Sequence, residues 1–479
     1  MSVAGPSKTA IVAPIPAPTV EAMADRAVRA VARGAQGIEL RVDALAELGG
    51  PGVGQLVEQV RSRTGSSRPL IVTCRDKREG GLVDHPLAAR IEAWTFAIGA
   101  GADFVDVELE NIRLPQVAHP IREALGGRPQ TRLIVSAHSW DGPFASPQRL
   151  YEECRAVLPG AVPKLVYTAR HINDCLDALD LLHGGPGDKV VFCMGQAGSI
   201  TRLLAKKLGG LMTYASLDPG SGTAPGQIPI DQMKGLYRAD SIDEETEVYG
   251  VIGDPVAHSM SPAIHNACFA DLGMNRLYVP LWVAGGRDEL FRFLDAVRER
   301  PWLGLRGLSV TIPHKHSALE YAQVRGGRVD PLSARIGAAN TLLFDLEGGI
   351  QAFNTDYVGA MEAIASGLGI RREDLKGWPV AVVGAGGVAR AVVAGLCDAG
   401  ARVTIYNRTL AKARALAQDF GCAHAPLKAL GDVKARLLVN CTSLGMAPDV
   451  GSTPVPAECL YADMAVFDTV YTPPRTRLL

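Results

Sequence analysis

The chain has 479 residues, 47% hydrophobic and 21% charged, with 49 basic side chains against 50 acidic ones. That length suggests about three domains of ordinary size, and the balanced charge recommends neither nucleic acid nor an anionic membrane surface as a partner. Nine cysteines stand singly, with no C-x-x-C pair, which argues against a disulfide framework and a structural zinc site and for a reducing compartment. No apolar run is long enough to span a membrane, and the N-terminus reaches the strand-like Ala10-Ile11-Val12-Ala13 almost at once. The expected setting is therefore cytoplasmic, with a plastid as the alternative if a transit peptide has been removed.

From the start to residue 238, eight short apolar runs recur, each followed by a helical pattern. They are Ala10–Ala13, Gly37–Val42, Leu70–Arg75, Phe104–Leu109, Leu133–Ala137, Lys164–Ala169, Val190–Met194 and Leu211–Ser216. Intervening helices are expected over Val20–Ala32, Leu87–Gly99 and Pro147–Leu158, the last with Ser146 as N-cap and Pro147 at its first position. Eight strand–helix repeats predict a (β/α)8 TIM barrel with its site where the strands end. The alternative, an open doubly wound sheet, lacks the expected Gly-rich first turn.

Ionisable residues gather at those strand ends. Glu39, Arg41 and Asp43 alternate, so the period of two puts them on one face, where three charges need mutual partners or an anionic ligand. Lys164 sits among apolar and β-branched neighbours. Desolvation there is expected to lower its pKa and free an amine able to form a Schiff base with a carbonyl. Read alone, the strand favours a lysine paired with a carboxylate or one snorkelling from a strand end. His138 ends the fifth strand, Arg75 follows the third and leads to Glu79, and Arg202 lies near a helix start.

These stretches carry a resemblance. Glu39-Leu40-Arg41-Val42-Asp43, Thr73-Cys74-Arg75 with Glu79-Gly80-Gly81, Ser136-Ala137-His138, Lys164 and Ala224-Pro225-Gly226-Gln227 come in the order seen in type I 3-dehydroquinate dehydratases. The resemblance implies that Lys164 forms a Schiff base with the C3 ketone of 3-dehydroquinate and that His138 removes the adjacent proton and helps expel the C1 hydroxyl. It implies that Glu79 orients His138, that Arg202 clamps the substrate carboxylate, and that Glu39, Arg41, Arg75 and Gln227 hold the ring. Thr223 stands where many relatives carry serine.

Residues 238–247 are polar and acidic and read as an interdomain linker. A second region, 247–365, carries Gly253-Asp254-Pro255, Ser259 and Ser261, with Ser261 expected to cap a helix that has Pro262 at its first position. It also carries Ser309-Val310-Thr311-Ile312-Pro313-His314-Lys315, Asn340-Thr341 and Asn354-Thr355-Asp356. Lys315 and Asp356 form a candidate acid/base pair, with an exposed salt bridge as the alternative reading. In the third region, 366–479, a strand at Trp378–Val383 runs into Gly384-Ala385-Gly386-Gly387-Val388-Ala389 and a helix, then a second strand. This is a Rossmann-type dinucleotide turn. The second strand ends in Asn407-Arg408-Thr409 with Lys412 beyond, not in an acid, which favours the 2′-phosphate of NADP(H).

The second and third regions together resemble shikimate dehydrogenase, with Asn440-Cys441-Thr442-Ser443-Leu444-Gly445-Met446 completing the set. The resemblance implies that Ser259, Ser261, Thr311, Asn340 and Asp356 hold the substrate, that Lys315 and Asp356 are catalytic, that Thr442 and Met446 flank the nicotinamide, and that Tyr471 closes on the substrate. It also implies helices and a substrate-binding glutamine beyond Leu479, so the reductase half is expected to be the weaker. The expected whole is a fused α/β enzyme for two consecutive shikimate-pathway steps, acting on small molecules with NADP(H) and no metal. Its rivals are a quinate/shikimate dehydrogenase in the second half, and a non-catalytic metabolite sensor that kept both folds. Nothing in the sequence indicates an oligomeric state.

Overall fold

The computed structural model describes residues 9–220, 222–257, 259–432 and 434–479. The chain divides into two compact units, Met1–Arg306 and Gly307–Leu479.

The first unit opens with eight parallel strands: β1 (Ala10–Pro16), β2 (Gly37–Arg41), β3 (Leu70–Thr73), β4 (Phe104–Glu108), β5 (Arg132–Ser139), β6 (Val162–Thr168), β7 (Val190–Met194) and β8 (Met212–Tyr214). Their order is β7-β6-β5-β4-β3-β2-β1-β8, the sequential order of a nearly closed barrel. One backbone bond crosses the seam, from the Leu211 N–H to the Lys189 carbonyl at 2.8 Å. The interior is layered by the period of two along each strand. Ile71, Phe104, Ile134, Val162 and Val190 fill an apolar floor. Two residues further along their strands come Thr73, Asp106, Ser136 and Lys164, all buried. The barrel is thus dry below and ionic at the C-terminal ends of its strands, where barrel sites sit.

Helices Val20–Ala32 and Leu87–Gly99 have the expected bounds. Helix Pro147–Ala156 stops short of Leu158, and the Ser146 hydroxyl makes no capping bond although Ser146 holds the N-cap position. Beyond the barrel, β9 (Glu247–Gly253) pairs in parallel with β10 (Arg276–Trp282) around helix Ser261–Asp271. Here the expected cap is corrected. Ser261 is the first helical residue and Met260 the N-cap, while the Ser259 hydroxyl accepts from the Ser261 N–H at 3.2 Å. The polar stretch between barrel and β9 is tied down: Asn275 Nδ2 donates to Asp243 at 2.8 Å and Lys207 to the Glu244 carbonyl at 2.6 Å.

In the second unit, residues 307–310 of β11 (Leu305–Val310) run antiparallel to β13 (Thr341–Phe344), which pairs antiparallel with β14 (Ile350–Phe353). The short β12 (Arg328–Val329) joins β14 in parallel. A separate parallel sheet follows, in the order β17-β16-β15-β18-β19, from β15 (Pro379–Val383), β16 (Arg402–Asn407), β17 (Ala423–Pro426), β18 (Leu437–Asn440) and β19 (Ala465–Asp468). The order reverses at β15, so the crevice of an open α/β sheet opens where β15 ends. Among the described residues, no helix is long and apolar enough to cross a membrane.

Candidate active sites

Lys164 lies in the middle of β6 and is 3% exposed. Its Nζ donates to Asp106 Oδ2 at 2.8 Å, Glu39 Oε1 at 3.1 Å and Tyr214 Oη at 3.2 Å. The expected fall in its pKa is corrected by these neighbours. Burial is the largest influence and lowers the value, but Asp106 and then Glu39 outweigh it together, and the ammonium is held above its ordinary range. Asp106 also receives Arg75 at 2.9 Å and the Ser136 hydroxyl at 2.6 Å. Although burial works against its charge, Arg75 and Lys164 hold it far below the usual carboxylate range. Arg75 donates further to Glu108 and Ser136 at 2.8 and 2.7 Å. Arg90 braces the far side, donating to Glu108 and Asp76 at 2.8 Å each. Of the three charges at the end of β2, two pair with each other and the third turns to Lys164. Arg41 is bidentate on Asp43, 2.8 Å in each arm, with Asp43 in a short 3-10 turn beyond the strand, while Glu39 accepts from Lys164 and from Thr73.

His138 and Glu79 meet at this mouth. One Glu79 oxygen faces both the His138 N–H and its ring Nδ1, 3.0 Å from each. The imidazole is held neutral, first by burial and then by the charges of Arg75 and Lys164. Burial pushes the Glu79 carboxyl up to about 8, with Glu108 adding to the rise and Arg75 opposing it. A protonated Glu79 donates to Nδ1 and forces the ring proton onto Nε2; an ionised Glu79 accepts from Nδ1–H and leaves Nε2 as a base. Dehydration is therefore expected to gain kcat/KM as pH rises, levelling above about 8, and Glu79→Gln should flatten that limb in a pH–rate series.

Arg202 is 1% exposed and lies 4.2 Å over the Phe192 ring. Its Nε and one terminal nitrogen have no hydrogen-bond partner, and burial pushes its pKa down to about 10. A buried guanidinium with two idle nitrogens is suited to a carboxylate. Arg202→Lys, which keeps the charge and loses the planar fork, should raise KM for the dehydratase substrate roughly 10–100-fold. Gln227 and Thr223 bond to each other, with the Gln227 Oε1 3.0 Å from the Thr223 N–H.

In the second unit, Lys315 opens helix Lys315–Val324 and Asp356 opens helix Asp356–Leu368. The two are ion-paired. Asn340 Nδ2 holds the other Asp356 oxygen at 2.9 Å. Thr311, half-buried, lies just past β11. The dinucleotide turn stands against this pair: a Cβ on Gly387 would lie 3.3 Å from Lys315 Cδ. Gly384 has φ +115, and a Cβ there would strike the Cys441 carbonyl at 2.9 Å and Thr442 Cγ2 at 3.2 Å. Only glycine serves at such a position. A Cβ on Gly386 would meet open space, and helix Gly387–Asp398 begins there with no side-chain cap. A glycine-rich turn beneath an uncapped helix N-terminus fits a pyrophosphate. Past β16, Arg408, Thr409 and Lys412 are exposed, while Asn407 bonds the Thr409 carbonyl at 2.9 Å. Thr442 Oγ1 donates to Asn440 at 2.7 Å; Met446 is 39% and Tyr471 68% exposed. Ser259 and Ser261 belong to the first unit.

Comparison with known proteins gives a family for each part of the chain. Residues 11–244 match the family of type I 3-dehydroquinase, 251–342 the shikimate dehydrogenase substrate binding domain, and 369–441 the shikimate / quinate 5-dehydrogenase family. A bifunctional 3-dehydroquinate dehydratase/shikimate dehydrogenase of Arabidopsis thaliana, described as chloroplastic, is 33% identical over 98% of this chain and 77% of its own. The chain belongs to that bifunctional family. Its second part is also 41% identical to an NADP(+) shikimate dehydrogenase of Methanosarcina mazei, over 49% of this chain and 82% of the relative. A Thermus thermophilus shikimate 5-dehydrogenase, solved with NADP(H) and shikimate, is 39% identical over 47% of this chain and 80% of its own, with a TM-score of 0.41. Family membership makes the chain an α/β enzyme of the shikimate pathway with a lyase half and an oxidoreductase half. Asp106, Tyr214 and Arg90 are the parts of the barrel site that sequence reasoning did not assign. For Asp106 a signal existed: it lies two residues after Phe104 on the inward face of its strand.

Proposed function

We propose that the barrel dehydrates 3-dehydroquinate through Lys164 and that the second half reduces the resulting 3-dehydroshikimate to shikimate. The observation that carries the first step is a buried lysine held by Asp106 and Glu39, with a neutral histidine and a half-idle guanidinium at the same mouth. The Lys164 amine adds to the ketone carbon, and loss of water leaves an iminium that draws electrons from the neighbouring carbon. His138 Nε2 takes that carbon's proton while Nδ1–H points at Glu79. The electron pair expels the hydroxyl, which leaves as water with a proton from His138, and a further water hydrolyses the product iminium, restoring the ketone and freeing Lys164. Arg202 holds the carboxylate. Glu39 and Asp106 keep Nζ aimed, and Arg41 and Arg75, each committed to carboxylates, shape the ring pocket with Gln227 and Thr223. Trapping the substrate adduct with borohydride tests this: added mass on the Lys164 peptide is the expected result, and adduct elsewhere contradicts it.

For reduction, the close approach of Lys315 to the glycine turn supports a proton donor set beside the bound dinucleotide. NADPH, when bound, supplies a hydride. Lys315 gives the ketone oxygen its proton, and Asp356, itself fixed by Asn340, keeps Lys315 aimed. Asn407, Arg408, Thr409 and Lys412 face the adenosine phosphate, Gly384, Ala385, Gly386 and Gly387 the pyrophosphate, and Thr442 and Met446 the nicotinamide side. Ser259, Ser261, Thr311, Asn340 and Tyr471 are assigned to the substrate on family resemblance. Arg408→Ala should raise KM for NADPH roughly 10–100-fold and leave that for NADH unchanged, as a lost charge-assisted contact to phosphate requires. Steady-state kinetics with the two cofactors checks this.

A further inference from the structure

Among the partners of Lys164, Tyr214 has no task in the scheme above. It comes from β8, is 2% exposed, and presents Oη 3.2 Å from Nζ with its ring centroid 4.5 Å away. An ammonium has three N–H bonds, and Lys164 spends them on Asp106, Glu39 and Tyr214. Asp106 is held ionised by Arg75 and can only accept. The phenol, unlike Asp106, carries a hydrogen of its own, so it can take a proton on one side while giving one on the other.

The chemistry calls for such a group. Ammonium plus ketone gives protonated iminium plus water, with no net gain or loss of protons. The new bond is C–N, the bond lost is C–O, and of the three hydrogens on Nζ one stays on nitrogen while two leave on the former ketone oxygen. Both must cross from Nζ to that oxygen. Direct passage closes a strained four-membered ring of N, C, O and H, and a hydroxyl placed beside Nζ widens it to six.

The geometry points to Tyr214 as a further catalytic residue of the dehydratase, relaying protons from Lys164 Nζ through Oη to the substrate's ketone oxygen. This rests on the reading of Lys164 as the Schiff-base lysine. Each transfer takes and gives one proton, so the phenol ends as it began. Burial, the largest influence on Tyr214, raises its pKa despite the opposing pull of Lys164, in keeping with a relay that never stores charge. The backbone carbonyl of the same residue accepts from Arg202 at 3.4 Å, so one residue links the amine to the proposed carboxylate clamp.

Tyr214→Phe keeps the ring over Nζ and removes only the O–H. In full-length protein mixed with 3-dehydroquinate and quenched with borohydride at increasing times, adduct on the Lys164 peptide should appear about 10²-fold more slowly in the variant, with the same final yield. A second measurement needs no variant: the wild-type trapping rate should fall in deuterated water, as expected for protons in flight. Equal trapping rates in the two proteins, or a wild-type rate indifferent to deuterium, would overturn the relay while leaving the Lys164 reading intact. Adduct absent from Lys164 in the wild type takes down both.

Discussion

Lys164→Arg should lower kcat for dehydration by about 10⁴-fold or more. Arginine retains a cation for Asp106 and Glu39, which accept from Lys164 at 2.8 and 3.1 Å, so the buried carboxylates are not abandoned. What disappears is the nucleophile, since a guanidinium does not deprotonate in a protein. Reduction of added 3-dehydroshikimate by NADPH should persist at the wild-type rate, because Lys315 and Asp356 lie in the other compact unit. Measuring the two half-reactions on one preparation checks both statements. Residual dehydration within tenfold of wild type would remove Lys164 from the mechanism.

The converse variant is Lys315→Ala. Removing the proton donor should cost the reductase about 10³–10⁴-fold in kcat, with dehydration unchanged. Asp356 then loses its ion-pair partner but keeps Asn340 at 2.9 Å, so the loss should fall on turnover more than on KM. A variant that raised KM alone would make Lys315 a binding group rather than the proton donor. Asp356→Asn should show a smaller loss in the same direction, since it leaves Lys315 in place without its anchor.

Much of this was legible in the chain before its fold. Eight apolar runs gave eight strands, and Val190–Met194 has the bounds read from the sequence, because β-branched runs bounded by turns leave little choice of element. The apolar neighbours of Lys164 already pointed to a costly setting for its charge, and Val162 and Val166 lie in the barrel's apolar core. The glycine turn was recognisable because a strand, a φ-positive Gly384 and a helix start must follow one another there. What failed depends on contacts across space. Desolvation alone predicted a lowered Lys164, but the sign of the shift is set by Asp106 and Glu39, far away in sequence and adjacent in the barrel. Tyr214 was passed over as an apolar residue of a short strand, since nothing local says that its hydroxyl reaches Lys164 on β6. Ser261 was misread as a cap because Pro262 suits either of the first helical positions; Met260 is the N-cap, and the Ser259 hydroxyl accepts from the Ser261 N–H.

The central claim is that one chain carries both steps, and a single incubation tests it most directly: purified protein with 3-dehydroquinate and NADPH, following cofactor oxidation and identifying the product. Shikimate, formed with one NADPH consumed per molecule, is the predicted result. Accumulated 3-dehydroshikimate with NADPH untouched would contradict the assignment of Lys315 and Asp356. Quinate as the product would move the second half to a different substrate. Unchanged 3-dehydroquinate in a folded sample would contradict the account at its root.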